Sequence, residues 1–281
     1  MSIEIKGLTH LYNEGTVMER KALDNINLTI NDGEFIAVIG HTGSGKSTLI
    51  QHLNALIKPN SGQILLNGED INADKKKLKS IRQRIGLVFQ YPEHQLFELT
   101  VLKDVCFGPL NLGLSEDEAV KAAKEALNLV GIDEKLYEKS PFELSGGQKR
   151  RVAIAGILAM KPEVIILDEP TAGVDPRGRN EIFAAINHMH KETGITVVLV
   201  SHSMEDVAKY ADRIVVMSEG KIVTTGSPKE VFSKVELLES IGLAAPQISY
   251  IIKGLKEKGF EINDDIYTVD EATKVLSTLL K

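Results

Sequence analysis

An α/β fold built around a nucleotide-phosphate loop is what this sequence predicts, and three observations predict it. Residues 34–39 are a short apolar run rich in β-branched side chains, and residues 49–56 carry helical spacing. Between them, Gly40-His41-Thr42-Gly43-Ser44-Gly45-Lys46-Ser47-Thr48 fits G-x-x-x-x-G-K-[ST]. Further on, Val164-Ile165-Ile166-Leu167 and Thr196-Val197-Val198-Leu199-Val200 are continuous apolar runs, as in strands buried on both faces of a parallel sheet.

The loop needs these residue types. Gly40, Gly43 and Gly45 keep side chains away, so that amide N–H groups at a helix N-terminus can face phosphate oxygens. Lys46 adds a cation, and the Ser47 hydroxyl can ligate Mg²⁺.

The chain has 281 residues, enough for one large or two modest domains, and 43% are apolar. The net charge of −6 argues against a general nucleic-acid binder. The basic run Lys75-Lys76-Lys77-Leu78-Lys79 reads as a solvated helix end. Cys106, the single cysteine, lies between Val105 and Phe107 and reads as a buried small hydrophobe. Residues 1–6 lack a signal-peptide pattern, and no apolar run nears the roughly 18 residues that span a bilayer. A cytoplasmic protein is expected, with any membrane spans supplied by other chains.

In chain order, residues 3–5 and 26–30 alternate as strands before the turn Asn31-Asp32-Gly33. Tyr12 sits in a polar stretch ahead of a loop at 13–21, where its ring can stack on a base. Residues 63–68 read as a strand and turn, 75–83 as a helix, and 85–89 as a buried strand ending at Gln90. From 91 to 160 the pattern is helical. Ser115-Glu116-Asp117-Glu118 is a capping box, Ala119, Ala123, Ala126, Leu127 and Val130 share one face, and Gly131 is the stop.

Asp168 and Glu169 end the strand at 164–167, where open α/β sheets bind ligands. Asp168 is placed to hold Mg²⁺. Glu169, expected to point elsewhere because strand side chains alternate, can orient or deprotonate the attacking water. Helices are expected at 179–190 and 207–212, with a hairpin around Glu219-Gly220. Ser227-Pro228-Lys229-Glu230 starts a mostly helical tail, whose last helix is capped by Thr268-Val269-Asp270-Glu271. The tail is expected to pack on the main body or on a partner.

Leu144-Ser145-Gly146-Gly147-Gln148 opens another helix and forms a second anion cradle. One nucleotide does not need two cradles from one chain. The economical arrangement is a head-to-tail dimer, with ATP sandwiched between the phosphate loop of one subunit and Ser145 of the other.

Residues 40–48, Gln90, 144–148, 164–169, Ala172-Gly173-Val174-Asp175 and His202, in that order, resemble the nucleotide-binding domain of ABC transporters over residues 1–226. The resemblance implies an ABC-type phosphate-loop ATPase using ATP and Mg²⁺. It would have a helical subdomain at about 91–160, an antiparallel β subdomain, and a small helical C-terminal domain at 227–281 that serves dimerisation. It implies that Tyr12 stacks on adenine and that Gln90 senses Mg²⁺ and water and couples to a membrane partner. Asp175 would communicate across the dimer, and His202 would contact the γ-phosphate.

A narrower resemblance rests on residues 90–97, 153–160, 226–232 and 243–247. These are similar to the ATPases of energy-coupling factor transporters, which import vitamins or transition-metal ions. Those use two ATPases, a scaffold membrane protein and a substrate-binding membrane protein. Gly40-His41-Thr42-Gly43 resembles the second of the two paralogous ATPases. The implied place is the cytoplasmic face of the membrane, paired with a paralogue or with itself. Tyr91, Pro92, Glu93, His94, Gln95, Leu96 and Phe97 would touch the scaffold, and no nucleic acid is expected. An ATPase of a binding-protein-dependent importer shares every core motif. A soluble ABC-type ATPase acting on DNA or ribosomes is the other alternative, opposed by the single cassette and the lack of a heptad run.

Overall fold

The computed structural model describes residues 3–263 and 265–279; the first two residues of the N-terminal stretch and the last two of the tail lie outside them. Two sheets carry the architecture. β1 (Ile3–Tyr12), β2 (Arg20–Ile30), β4 (Ser61–Leu66) and β5 (Glu69–Asp70) form an antiparallel sheet in the order β2-β1-β4-β5. β3 (Phe35–Ile39), β6 (Ile85–Val88), β7 (Val164–Asp168), β8 (Thr196–Val200), β9 (Arg213–Ser218) and β10 (Lys221–Gly226) form the second, in the order β10-β9-β3-β8-β7-β6. This sheet is parallel except for β10, which pairs antiparallel with β9. Glu219 and Gly220 close that hairpin at φ 48° and 75°, the left-handed pair that a two-residue turn requires.

The uniform apolarity of the parallel strands has a direct cause. Their side chains alternate between two cores. Phe35, Ala37, Ile39, Ile165, Leu167, Val197 and Leu199 face one, and Ile36, Val38, Val164, Ile166, Val198 and Val200 face the other. Each large side chain so buried is worth about 1.5–3 kcal/mol, which leaves little room for polar residues inside these strands.

The second core lies between this sheet, the antiparallel sheet, α1 (Lys46–Leu53) and α2 (Leu78–Arg84). The first is roofed by α3 (Val101–Asn111), α4 (Glu116–Leu129), α5 (Gly146–Leu158), α6 (Pro176–Thr193) and α7 (Met204–Tyr210). Cys106 is buried there, and burial pushes its thiol pKa up, in keeping with a packing role. The capping box at Ser115 is formed, with Glu118 reaching back to the Ser115 amide, and Gly131 ends the turn at φ 69°.

Two helix starts differ from the sequence expectation. α6 begins at Pro176, three residues early, because Asp175 accepts from the amides of Arg177 and Gly178, both at 3.0 Å. α7 begins at Met204 because Ser203 caps it, and it ends at Tyr210. Asp212 is outside it and accepts from the Phe35 amide instead.

The tail comprises α8 (Pro228–Phe232), α9 (Val235–Ser240), α10 (Gln247–Glu257) and α11 (Val269–Leu279). Val231, Phe232, Leu238 and Tyr267 join the first core, so the tail packs on the main body. Ile252, Ile262, Ile266 and Ala272 form a small cluster of their own.

Candidate nucleotide site

Strand order places the chemistry. The phosphate loop follows β3, Asp168 ends β7, His202 follows β8 and Gln90 follows β6. These four strands are parallel neighbours, so all four positions leave the sheet along one rim. β8 lies between β3 and β7, which sets His202 between the phosphate loop and the two acids.

The loop itself is tight. A Cβ on Gly40 would lie 2.3 Å from the Met217 carbonyl oxygen, and one on Gly45 2.6 Å from that of Ala22, so both positions exclude side chains. Lys46, only 6% exposed, donates to the carbonyls of Gly40 at 2.7 Å and His41 at 3.0 Å. Burial lowers its pKa, and the nearby charges of Glu169 and Asp168 push it back up. His41 approaches the Thr42 carbonyl and the Ser218 hydroxyl, and Thr42, Gly43 and Ser47 are exposed along the loop. Ser44 is buried.

Tyr12 ends β1, half exposed, with its hydroxyl 3.3 Å from that of Thr48. Its ring meets His10 edge-on at 4.6 Å, and His10 meets the buried His52 at 4.7 Å. Burial brings the His52 pKa down to about 4, so this pair is a neutral platform under Tyr12. Sequence reading missed the two histidines because they lie 42 positions apart and only the β1–α1 contact unites them.

The acid pair departs from the alternation argument. Asp168 ends the strand, but Glu169 is in the left-handed region at φ 49°, its amide donating to the Val200 carbonyl at 3.0 Å. The turn, not the pleat, therefore aims Glu169. Its Oε1 is buried without an aligned hydrogen bond among the described residues, 3.3 Å from His202 Nε2. Burial raises the Glu169 pKa to about 7, the negative charge of Asp168 adds to this, and the His202 amide and Lys46 oppose it. Burial also raises the Asp168 pKa against the pull of Lys46. His202 is shifted down by burial and then by Lys46, and so stays neutral at pH 7.

The oxygens free on this rim are hard donors: the exposed Ser47 hydroxyl, the Asp168 carboxylate and the Gln90 amide. That set fits Mg²⁺, and a half-buried carboxylate pair beside one lysine gains from added positive charge.

A raised folded-state pKa makes a stability statement. Folded protein keeps the Glu169 proton that unfolded chain, with a pKa of 4.5, gives up. Stability is lost as pH rises from about 4.5 through 7, and Glu169→Gln removes that loss. The nucleotide-free variant should therefore melt above wild type at about pH 8, with the gap closing toward about pH 5. A gap independent of pH would refute the burial argument.

Ser145 caps α5 by accepting from the Gln148 amide at 3.3 Å, while the Gln148 side chain accepts from the Ser145 amide at 3.0 Å. Gly146 and Gly147 form the first turn behind it. Asp175, as described, caps α6.

The expected scaffold segment is divided. Pro92 and Leu96 are buried, Leu96 at 7% within the first core, and Glu93 pairs with Arg150. Pro92 and Leu96 are interior residues and Glu93 is half-buried, because the segment must anchor itself before it can present anything. Tyr91, His94, Gln95 and Phe97 are exposed. Arg150 was missed in the sequence. The signal was there: it shares the buried stripe Gly147, Arg150, Ile154 and Leu158 of α5, an unusual place for an arginine.

The ABC transporter family profile matches residues 23–172, more than half of the chain. The chain belongs to the ABC transporter family. Similarity extends beyond the ABC cassette. The chain is 60% identical over 277 residues to the energy-coupling factor transporter ATP-binding protein EcfA2 of Clostridium tetani, covering 98% of this chain and 96% of that protein. It is 57% identical to EcfA2 of Clostridium perfringens, covering 100% and 99%. Among solved ABC structures, cbiO1 of Clostridium perfringens, described as part of the transporter complex cbiONQ, superposes with a TM-score of 0.77 at 43% identity, covering 89% of this chain and 98% of that one. The dimeric ATP-binding cassette MJ0796 bound to ADP and Pi superposes with a TM-score of 0.71 at 33% identity, covering 80% and 98%. These matches support the phosphate-loop ABC ATPase fold read from the sequence.

Proposed function

We propose that this chain is the ATP-hydrolysing subunit of an energy-coupling factor importer, working in a dimer of ATPases on the cytoplasmic face of a membrane scaffold. Similarity to EcfA2 proteins over the whole chain, tail included, carries this reading. No helix among the described residues is long and apolar enough to cross a membrane, which fits a peripheral subunit.

The rim geometry and the family resemblance support the following roles. Tyr12 stacks on adenine, the loop amides and Lys46 hold the triphosphate, and Ser47, Asp168 and Gln90 would hold Mg²⁺. The metal when bound supplies charge neutralisation of the phosphates. Glu169 takes the proton of the attacking water, and His202 contacts the γ-phosphate. Ser145, Gly146, Gly147 and Gln148 close on the nucleotide of the other subunit, with Asp175 at the dimer contact. A swing from 1:99 to 99:1 needs about 5.5 kcal/mol of differential binding. Two triphosphates held by charged hydrogen bonds worth about 1.5–3 kcal/mol each can supply it. Tyr12→Ala should raise KM for ATP by about tenfold, the loss of one base–aromatic stack, and change kcat by less than about twofold. An unchanged KM would remove Tyr12 from the site.

A groove of about 570 Å³ between α2, α3 and α5 suits the scaffold. Phe97, 57% exposed, meets Phe107 edge-on at 4.9 Å on its wall. Asp104 fixes the Phe97 and Glu98 amides there at 2.9 and 2.8 Å.

The test is affinity capture of the tagged chain from detergent-solubilised native membranes. Recovery of a second ATPase with a small scaffold membrane protein is expected. Conventional permease subunits would move the protein to the binding-protein-dependent importers. Recovery of neither, with ATPase activity intact, would favour a soluble role.

A further inference from the structure

We propose that Arg150 is a positioning residue that makes one helix and two loops beside the nucleotide rim move as one piece and carries nucleotide occupancy to the groove at Phe97. The inference rests on the transport reading for its purpose, though not for its geometry.

Arg150 is 2% exposed. Its guanidinium donates to both oxygens of Glu93, from Nε at 2.9 Å and from Nη2 at 2.5 Å. Nη1 donates to the carbonyls of Pro170 at 3.0 Å and Ala172 at 2.8 Å. The same group lies 5.7 Å over the ring of Tyr91. One side chain thus joins the helix begun by Ser145, the segment following Gln90, and the turn between Glu169 and Asp175.

Each attachment is short and stiff. The Ala172 amide donates to the Glu169 carbonyl at 3.1 Å, and the Val174 amide to that of Thr171 at 3.2 Å. A shift of Glu169 on meeting nucleotide therefore shifts the two carbonyls that Arg150 holds. At the other end Glu93 lies four residues before Phe97, and Tyr91 is locked at φ 58° ahead of Pro92. A Cβ on Gly173 would lie 3.7 Å from the Tyr91 ring, so that ring sits beside the turn before Asp175, about one methyl group away.

The chemistry requires arginine. A planar fork of five N–H donors serves a carboxylate in two-point fashion and two carbonyls at once, whereas an ammonium offers three donors from one point. Glu93 stays ionised in this pairing. Burial alone would raise its pKa, and the hydrogen bond and charge of Arg150 bring it below the usual range. The whole circuit lies within one chain, so ATP at the chain's own phosphate loop is enough to drive it.

The test uses the absence of tryptophan from the sequence. Phe97→Trp in the full chain gives a single fluorescent reporter on the groove wall, read with Mg²⁺-ATP. Binding should change its emission or quencher access. With Arg150→Lys, or separately Glu93→Gln, the change should fall at least about fivefold, while KM for ATP moves less than about twofold and kcat falls about tenfold. Glu93→Asp, which keeps the carboxylate, should restore part of the response. A reporter silent to ATP in the otherwise unaltered chain overturns the inference. So does an undiminished response in variants whose melting temperature alone has dropped, which would make Arg150 a packing residue. Neither outcome depends on recovering a scaffold, so the inference and the transport reading fail separately.

Discussion

Glu169→Gln is expected to slow ATP hydrolysis by about 10²- to 10⁴-fold, the range lost with a positioned general base. ATP binding should survive, because glutamine keeps the shape and the phosphate loop is untouched. The environment of Glu169 explains the size of the effect. Its Oε1 is buried, desolvation raises its pKa to about 7, and His202 lies 3.3 Å away. A base with that pKa is half ionised near neutrality, poised to take a proton from water and to give it up again. The ATP-loaded variant should accumulate as a closed dimer, measurable by size-exclusion chromatography with light scattering and by stopped-time phosphate release. Normal hydrolysis by Glu169→Gln would end the assignment.

Lys46→Ala is expected to weaken ATP binding at least about 100-fold, since two charge-assisted hydrogen bonds at roughly 1.5–3 kcal/mol each disappear. In the structure the Lys46 ammonium is already at the loop, held by the Gly40 and His41 carbonyls. Phosphate oxygens need only replace those acceptors, so little order has to be imposed on binding. Removing the cation also leaves Asp168 and Glu169 without the charge that opposes their raised pKa values. The acids should then protonate at higher pH, which lowers the share of ionised base as well. Calorimetric titration with Mg²⁺-ATP checks the first effect. An affinity within threefold of wild type would show that the loop amides alone hold the triphosphate.

Local signals were legible in the sequence because local physics makes them. Glycines in the phosphate loop, the capping box at Ser115, the helix start at Ser227-Pro228, and the unbroken apolar run of β7 each reflect a constraint settled within a few residues. The start of α6 has a local signal too, since Asp175-Pro176 is a cap followed by a first-turn proline, three residues ahead of the expected start at Arg179. Other features had no local trace. Leu96 and Phe97 are adjacent and both apolar, yet Leu96 is buried in the core and Phe97 is exposed on the groove wall. The direction of Glu169 followed from a left-handed turn that no alternation rule contains.

The sequence by itself determined the phosphate cradle, the apolar strands of the larger sheet and the capped helix starts at Ser115 and Ser145. Motif spacing and periodicity are properties of neighbours along the chain. The tertiary structure alone decided which motifs touch: His202 beside Glu169 because β8 lies between β3 and β7, His10 against His52 beneath Tyr12, and Arg150 joining Glu93 to the Pro170 and Ala172 carbonyls. Contacts across 57 or 20 positions depend on sheet order and burial, and these are settled only when the whole core closes.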